Sequence, residues 1–269
     1  FHVLRSAKES FVRQARGATI QGITREVVSS FKFDLPTYSE QERIASILDK
    51  ADEINQFSED SEKILGKLLK SLFVDTFGDL VLNPFDYPVM KLGEICDVRD
   101  GTHDSPSYVS QGYPLITSKN LKNGDIEFES ANLISRQDYD KVNQRSKVDV
   151  GDIIMPMIGT IGGPIIVESS REFAIKNVAL IKFTDSVVSN TYVKALLESH
   201  YFDYVIERIS RGGTQKFISL KNIREFPIPI PPSETQNQFE KIVKKIISIS
   251  PNTSLTKENS LSVTQELLH

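Results

Sequence analysis

A repeating pattern of apolar and small residues runs through residues 39–77 in alternating steps of three and four. Its members are Ile44, Ile47, Ala51, Ile54, Ser58, Ser61, Leu65, Leu68 and Leu72. This heptad spacing is typical of a helix that packs lengthwise against another helix. Ser39 with Glu42 forms a capping-box pattern at the start, and Gly78 stands where the helix should end. The pattern therefore predicts one long helix over residues 39–77.

The same rhythm begins again near the end of the sequence, because the sequence contains an internal repeat. Residues 13–51 align without a gap on residues 208–246, with an offset of 195 positions. The apolar residues of the second helix are Phe239, Ile242, Ile246 and Ile249. Each copy reads as a basic loop, a short apolar strand that ends in proline, and a helix. We expect the two helices to pack as an antiparallel coiled coil, with a break near Pro251.

Between the two helices, residues 79–232 change to short apolar runs separated by turn residues. The predicted strands cover residues 91–98, 113–118, 152–158, 165–167, 179–183 and 226–230. Apolar spacing also predicts a helix over residues 191–209. The predicted fold class is therefore α+β, with a mixed α/β domain of about 150 residues flanked by long helices.

The composition is that of an ordinary globular protein, with 269 residues, 39% hydrophobic and 25% charged. No apolar run approaches the roughly 18 residues that a membrane helix needs, and no signal-peptide pattern opens the sequence. Cys96 is the only cysteine, which excludes an internal disulfide and favours a reducing compartment. We therefore expect a cytoplasmic protein. Because the sequence starts at Phe1, inside the first repeat, we expect it to be a piece of a longer polypeptide.

The charges are unevenly distributed along the chain. A net charge of −4 argues against non-specific coating of nucleic acid, since such binding depends on many cations that displace counterions from phosphates. Residues 208–224 nevertheless carry five basic residues and no acid, and the first copy of the repeat has a similar basic patch. Acids concentrate in residues 49–62 of the long helix, which indicates a solvated face or a surface for a protein partner.

Patterns that would indicate catalysis are missing from the sequence. The four histidines have no zinc-ligand spacing. The glycine-rich run MIGTIGGP has no Lys-Ser or Lys-Thr pair after it, so it does not match a nucleotide-binding P-loop. Ser105 and Ser107 lie near His103, but no nucleophile elbow surrounds either serine. The sequence therefore predicts neither a metal site nor a hydrolase.

Several segments, taken in order, resemble one family. They are LPTYSEQERIASILDKADEI, KLGEICDVRDGTHDSPSY, YPLITSKNLKNGDI, VDVGDIIMPMIGTIGG and SRGGTQKFISLKNIREFPIPIPPSETQ. Together with the repeat, they resemble the specificity subunit of type I restriction-modification systems over essentially the whole chain. The resemblance implies the C-terminal tail of a first target recognition domain at 1–38, the central conserved coiled-coil helix at 39–77, a second target recognition domain at 78–232, and the start of the distal conserved helix at 233–269.

In that family the specificity subunit reads the two halves of a split DNA sequence, and other subunits perform the chemistry. The resemblance implies double-stranded DNA, modification (methyltransferase) subunits and restriction (translocase/endonuclease) subunits as partners, and it also allows a homodimer of this fragment. It implies no membrane partner and no catalysis by this chain. It further implies that the chain has no cofactor of its own, and that S-adenosylmethionine, ATP and Mg²⁺ are bound by partner subunits.

Polar and basic residues in the loops of the second recognition domain are the candidate DNA contacts. Arg and Lys suit guanine, Asn and Gln suit adenine, and other donors hold phosphates. The candidates are Thr102, His103, Ser105, Ser118, Lys119, Asn120, Lys122, Lys176, Asn177, Arg211, Thr214, Gln215, Lys216 and Lys221. The predicted seam between the helices consists of Ile44, Ile47, Ala51, Ile54, Leu65, Leu68, Leu72, Phe239, Ile242, Ile246 and Ile249.

Two other interpretations of the sequence stay open at this point. The chain could be a helical scaffold or protein-interaction module that does not bind DNA, and the acidic net charge favours this slightly. It could also be an enzyme with an unrecognised site, although no constellation of residues supports that. Selection of a gapped DNA sequence by the chain would separate DNA recognition from both alternatives.

Overall fold

The computed structural model of the chain describes residues 1–15, 22–158, 162–209 and 217–249. The chain divides into two compact units. Phe1–Gly66 belong to the first unit, and Lys67–Ile249 form the second. In the described ranges, no helix is both long and apolar enough to cross a membrane.

The described part of the first unit consists of helices joined by irregular segments. Its helices are α1 (His2–Ser6), α2 (Lys8–Gln14), α3 (Arg25–Ser29) and most of α4 (Tyr38–Phe77). His2 lies 2.8 Å from a carboxylate oxygen of Asp49, and Arg5 forms an ion pair with Asp52, so α1 is tied to α4. The predicted long helix is confirmed to within one residue at its start, since α4 begins at Tyr38 and ends at Phe77.

The second unit combines short helices with short strands. Its helices after the end of α4 are α5 (Leu92–Ile95), α6 (Arg136–Ser146), α7 (Asn190–Leu197), α8 (His200–Ile209), α9 (Leu220–Arg224) and α10 (Ser233–Ile249). Its strands are β1 (Val89–Lys91), β2 (Asp97–Asp100), β3 (Tyr108–Val109), β4 (Tyr113–Ile116), β5 (Leu121–Lys122), β6 (Asp125–Ile126), β7 (Asn132–Ile134), β8 (Ile153–Pro156), β9 (Ile165–Ile166), β10 (Ala174–Ile175), β11 (Val178–Lys182) and β12 (Pro227–Pro229). The α+β class predicted from the sequence is confirmed.

A four-stranded antiparallel sheet with the order β2-β11-β8-β9 forms the centre of this unit. Side chains alternate between the two faces of a strand. Ile153 and Met155 of β8 accordingly join the larger core cluster, together with the helices, whereas Ile154 joins a second cluster on the other face. Both faces are covered, which explains why β8 and β11 read as continuous apolar runs and not as alternating ones.

A second four-stranded sheet has the order β10-β4-β7-β3, in which β10 and β4 are parallel and the other pairs are antiparallel. Ile116 and Ile175 of this sheet pack in the same cluster as Ile154 and Leu180 of the central sheet. The neighbouring residues Leu115 and Ala174 face a third cluster with Tyr139 of α6. The second sheet thus lies between the central sheet and α6.

The internal repeat is present in the structure as well as in the sequence. Helices α3 and α9 start and end 195 positions apart, and so do the first residues of α4 and α10. In the first copy the side-chain amide of Gln41 donates to the carbonyl of Pro36 at 2.8 Å, and in the second Gln236 donates to Pro231 at the same distance. The repeated Pro and Gln therefore set the start of each helix.

The end of α4 packs against α10 through aromatic rings. The Phe239 ring centroid lies 5.0 Å from that of Phe77 and 5.9 Å from that of Phe73, and both phenylalanines also contact Tyr192 of α7. These four rings are fully or nearly fully buried. The second part of the predicted distal helix, from residue 250, lies outside the described residues.

The burial of the predicted seam residues agrees with the prediction only in part. Ala51 and Phe239 are buried, and five seam residues are half-buried, namely Ile44, Ile47, Leu65, Leu72 and Ile246. The prediction is wrong for Ile54, Leu68, Ile242 and Ile249, which are between 45% and 76% exposed. In the second unit the buried stripe of α4 passes through Phe73 and Phe77, because large rings at these positions fill the space beside α7 and α10.

Two predicted elements differ from the structure. Residues 91–98 were expected to form one strand, but α5 interrupts them because Glu94 accepts a hydrogen bond from the Lys91 amide and starts a helical turn. The helix expected over residues 191–209 is broken into α7 and α8. At the break, the Ser199 hydroxyl donates to the Leu196 carbonyl and accepts from the Tyr201 amide. Both breaks depend on local hydrogen bonds that apolar spacing does not reveal.

Candidate nucleic-acid interface

Two loops from distant parts of the sequence meet at one end of the second unit. Residues 101–107 follow β2, and Lys176 with Asn177 connect β10 to β11. The Thr102 amide donates to the Ile175 carbonyl at 3.0 Å, and Thr102 pairs with Lys176 as an isolated parallel bridge. We call residues 101–107 together with Lys176 and Asn177 the loop pair.

Gly101 makes this meeting of backbones possible. A Cβ atom at position 101 would lie 2.3 Å from the carbonyl oxygen of Ile175 and 2.8 Å from the amide nitrogen of Lys176. These distances are too short for any side chain, and the obstructing atoms belong to the backbone. Glycine lets two backbones approach in this way because it has no Cβ. The glycine in the DGTH run thus has a defined structural purpose.

Side chains join the two loops further. A ring nitrogen of His103, Nδ1, lies 2.7 Å from Oδ1 of Asn177, and the Lys176 ammonium donates to the Ser105 hydroxyl at 2.7 Å. The structure therefore brings together five of the predicted DNA contacts, namely Thr102, His103, Ser105, Lys176 and Asn177. His103 is exposed, and Lys176 and Asn177 are half-buried. The positive φ of 55° at Asn177 fits a turn, and asparagine tolerates this conformation better than most residues.

A buried carboxylate anchors the loop pair. The Asp100 side chain is only 8% exposed, and its Oδ2 lies 2.9 Å from Nε2 of His103. It also forms an ion pair with Arg145, near the end of α6. Burial of a carboxylate is costly unless the charge is paired, so the two partners account for its position. Asp100 thereby connects β2, the first loop and α6.

A cavity of about 460 Å³ lies between the first loop and α6. Charged side chains of both signs line it, including Lys141, Arg145 and Asp104, and Lys141 lies 3.4 Å from Asp104. On the neighbouring β2 strand, Arg99 donates to the carbonyl of Arg145 at 2.7 Å. Its hydrogen bond to Asp97 also lowers the pKa of that carboxyl below the ordinary value. The polar lining distinguishes this cavity from an apolar ligand pocket.

The second predicted loop comprises a 3₁₀ turn, Ser118–Asn120, and the β5–β6 hairpin that follows it. Lys119 and Lys122 are exposed there, and Lys122 forms an ion pair with Glu127 at 2.7 Å, while Ser118 is half-buried. Asn120 must be withdrawn as a candidate DNA contact. It is only 5% exposed, and its amide oxygen accepts from the amide and the hydroxyl of Thr117. Asn120 therefore stabilises the hairpin from inside.

The repeated basic loop was also predicted to contact DNA. Arg211, Thr214, Gln215 and Lys216 lie outside the described residues. Lys221 is exposed on α9. The neighbouring Arg224 attaches this helix to the central sheet, because its guanidinium donates two hydrogen bonds, at 3.0 and 2.8 Å, to the carbonyl oxygen of Val98.

The family comparison bears directly on these loops. The sequence model of the family described as type I restriction modification DNA specificity domain matches residues 1–65 and 84–262. The matched ranges include both copies of the repeat and the loop pair. The chain belongs to the type I restriction modification DNA specificity family.

Individual relatives of this specificity domain are distant in sequence. The specificity subunit of the type I restriction enzyme MjaVIII from Methanocaldococcus jannaschii is 26% identical over 259 residues. The alignment covers 89% of this chain and 61% of that relative. The chain thus spans less than two thirds of the length of this relative.

Solved structures show the same fold. The type I restriction-modification S subunit from M. genitalium matches with a TM-score of 0.63 at 18% identity, over 100% of this chain and 70% of that chain. A second structure, which concerns complex assembly and conformational transition of the type I R-M system, has a TM-score of 0.50 at 18% identity and covers 99% of this chain and 67% of that chain. At this identity the similarity supports the fold of the specificity domain.

Sequence reasoning missed Asp100, Arg145 and Lys141 as parts of the specificity domain's candidate surface. Asp100 precedes Gly101 directly, so the run of polar residues after β2 could have suggested it. Arg145 and Lys141 come from α6, more than 40 residues after Asp100, and no local pattern connects them to the loop. Among the described residues, no group of three or more His, Cys, Asp and Glu side chains could hold a metal ion.

Proposed function

We propose that this chain reads one half of a bipartite DNA target in a type I restriction-modification complex and docks the methyltransferase subunits. Membership of the DNA specificity family, with matches over 1–65 and 84–262, is the observation that carries the proposal. The loop pair supports it, because it concentrates predicted donors on one rigid part of the second unit. The proposal favours DNA recognition over a helical scaffold that does not bind DNA.

The chemistry of the loop pair suits a duplex. Lys176 offers an ammonium, and Asn177 offers the N–H groups of its side-chain amide. Such donors bind base edges in the major groove and phosphate oxygens on the backbone. Because His103, Ser105 and the backbone hold these groups in place, little side-chain entropy is lost when they bind. Preorganised donors of this kind favour recognition of one sequence over others.

In this proposal the chain itself performs no catalysis. Modification subunits would bring S-adenosylmethionine, and restriction subunits would bring ATP and Mg²⁺, in a cytoplasmic complex on double-stranded DNA. The acidic face of α4 around Asp49 and Glu62 and the packing of α4 on α10 support the helices as the docking surface. A homodimer of the chain is a further arrangement, which light scattering would detect.

The proposal is tested by selection from randomised duplex DNA with the full chain and its modification subunits. We expect enrichment of one defined half-site. Lys176→Ala should weaken binding to the enriched duplex about tenfold, which corresponds to a loss of about 1.4 kcal/mol. The matched control is Lys194→Ala on α7, whose ammonium is paired with Glu198 at 2.6 Å and which should bind normally. A folded, partner-bound chain that enriches no sequence would refute DNA recognition.

A further inference from the structure

The two ring nitrogens of His103 both face oxygen atoms. Nε2 lies 2.9 Å from Oδ2 of the buried Asp100, and Nδ1 lies 2.7 Å from Oδ1 of Asn177. A carboxylate that is already paired with the Arg145 guanidinium acts as an acceptor, and so does an amide oxygen. Both contacts are satisfied when each ring nitrogen donates. The hydrogen bond from Nδ1 then occupies Oδ1 of Asn177.

The charged groups around His103 agree with this arrangement. Asp100 approaches it from β2, and Arg145 of α6 shares that carboxylate. Asp104, in the same loop, lies against Lys141 of α6 at 3.4 Å. The ammonium of Lys176, beside Asn177, donates to Ser105. The buried anion that orients the ring is therefore Asp100. Because Asp100 holds Nε2, Nδ1 is the ring nitrogen that faces Asn177.

Occupation of Oδ1 changes what Asn177 can recognise. A free asparagine amide reads adenine with one donor and one acceptor, to N7 and N6 of the base. The contact with His103 turns Oδ1 toward the ring and Nδ2 away from it, so the amide presents its N–H donors on the other side, although Oδ1 keeps a second lone pair. The ammonium of Lys176 likewise has only donors. The complementary groups in a duplex are acceptors, such as N7 and O6 of guanine in the major groove or the oxygens of a phosphate.

We propose that His103 is a positioning residue that fixes Asn177 as a hydrogen-bond donor, so that Asn177 with Lys176 binds an acceptor-only group of the DNA and selects against adenine at that position. This inference rests on the proposed function and deepens it. Asn177 is then the specificity-determining residue, and His103 acts through it without touching the DNA.

The experiment uses the full chain with its modification subunits and the duplex that it enriches. Each guanine of the half-site is replaced in turn by 7-deazaguanine, and each phosphate by methylphosphonate. We expect one replacement to weaken binding of the unmodified chain about tenfold and to weaken binding of Asn177→Ala clearly less, since that variant keeps only the donor of Lys176. If binding weakens at a 7-deazaguanine, the acceptor belongs to a base. If it weakens at a methylphosphonate, the acceptor belongs to the DNA backbone.

The second part of the experiment uses the variant His103→Ala. If a guanine is the ligand, freeing Oδ1 should reduce the preference for guanine over adenine at that position at least fivefold, without a comparable change at other positions. If a phosphate is the ligand, His103→Ala should lose most of the sensitivity to that one methylphosphonate. The matched control is His200→Ala. This histidine also contacts a carboxylate, Asp79 at 2.9 Å, but lies on α8, and its replacement should change neither readout.

A measurement on the unaltered chain covers the case in which His103→Ala fails to fold. Nitrogen-15 NMR of the labelled histidine should show a protonated Nδ1, as donation to Oδ1 requires. An unprotonated Nδ1 would mean that the amide of Asn177 donates to the ring, and this overturns the inference. The inference is also overturned if His103→Ala keeps the preference for guanine and responds to every 7-deazaguanine and methylphosphonate replacement as the unaltered chain does. In both cases the chain still selects a sequence, so DNA recognition itself survives.

Discussion

At the scale of single residues, the structure holds several buried charges, and each has a partner that explains it. Asp152 is the clearest case outside the loop pair. Burial raises the pKa of this carboxyl above its ordinary value, although Lys182 donates a hydrogen bond to it. Lys182 also donates to Asp149 at 2.9 Å and to the carbonyl of Lys147 at 3.1 Å. The ammonium of Lys182 is thus the shared partner of two carboxylates where the inner strands β11 and β8 of the central sheet end and begin.

Removal of this ammonium should be strongly destabilising. We expect Lys182→Met to lower the free energy of unfolding by about 3–5 kcal/mol at pH 7, because it leaves a buried carboxylate unpaired. The folded state then prefers Asp152 protonated, so its folded pKa lies above the unfolded one. The penalty is therefore fully present above the folded pKa and decreases as the pH falls through it. Urea unfolding at pH 7 and pH 5 checks both expectations.

The control for this variant is Lys147→Met. Its side chain is 64% exposed and contacts Asp149 at the surface, so its removal should leave the unfolding midpoint unchanged. Equal destabilisation by the two variants would show that Lys182 contributes no more than a surface charge.

Gly101 gives a second prediction at this scale. We expect Gly101→Ala to lower stability by about 1–3 kcal/mol and to move the first loop away from β10, because the added Cβ would meet backbone atoms of Ile175 and Lys176. Thermal unfolding measures the first effect, and the amide NMR shifts of residues 102–107 measure the second. Gly66→Ala is a matched change in α4 with no atom within 4 Å of the new Cβ, and it should stabilise the helix by about 1 kcal/mol.

At the scale of elements, the sequence predicts best where the signals are local. Helix α4 follows from its heptad pattern, and α10 follows from the repeat. The predicted cap at Ser39 is wrong, because α4 begins at Tyr38 and the Glu40 amide donates to the hydroxyl of Thr37. Strands β8 and β11 follow from apolar runs. Helix α5 was missed because four residues are too few for a periodic pattern, and its start depends on the Glu94 side chain. The spacing of apolar residues thus does not predict elements that depend on a single side-chain hydrogen bond.

The candidate interface shows the same limit more strongly. The residue types of the loop pair were predicted from turn-rich composition, and five of them do come together. Their arrangement depends on contacts between positions more than 70 residues apart, such as His103 with Asn177. Asn120 shows the opposite outcome, since its amide serves the hairpin and not the surface. Composition therefore suggests which residues can contact DNA, and only the packing of the loops shows which are available.

The packing of α10 on α4 gives a prediction at the scale of elements. We expect Phe239→Ala to lower the free energy of unfolding by about 3–5 kcal/mol, because it removes a fully buried ring from contact with Phe73 and Phe77. Ile242, one turn further along α10, is 45% exposed. Ile242→Ala should therefore cost less than about 1 kcal/mol. Denaturant unfolding of both variants makes the comparison, and similar losses would contradict the observed seam.

At the scale of the whole molecule, the two copies of the repeat share their helices but differ in burial. Val28 is 39% exposed, whereas its equivalent Ile223 is 2% exposed. Phe33 is 53% exposed, whereas its equivalent Ile228 is fully buried. In the second copy, Ile228 pairs with Met90 of β1, and the Tyr192 hydroxyl donates to the neighbouring Pro229 carbonyl. Residues 32–34 of the first copy form no strand. Equivalent residues of the two copies thus lie in different environments, exposed in the first copy and buried in the second.

This difference predicts a large loss of stability in one copy and almost none in the other when serine replaces the apolar residue at equivalent positions. Ile228→Ser should lower the free energy of unfolding by about 3 kcal/mol or more, because it removes apolar contacts in the core and buries a hydroxyl. Phe33→Ser should change it by less than about 0.5 kcal/mol, because a half-exposed ring outside the core loses little when it is truncated. Thermal and urea unfolding of both variants provide the measurement. A large loss for Phe33→Ser would mean that the first copy is covered in solution, and the two copies would then be equivalent in packing as well as in sequence.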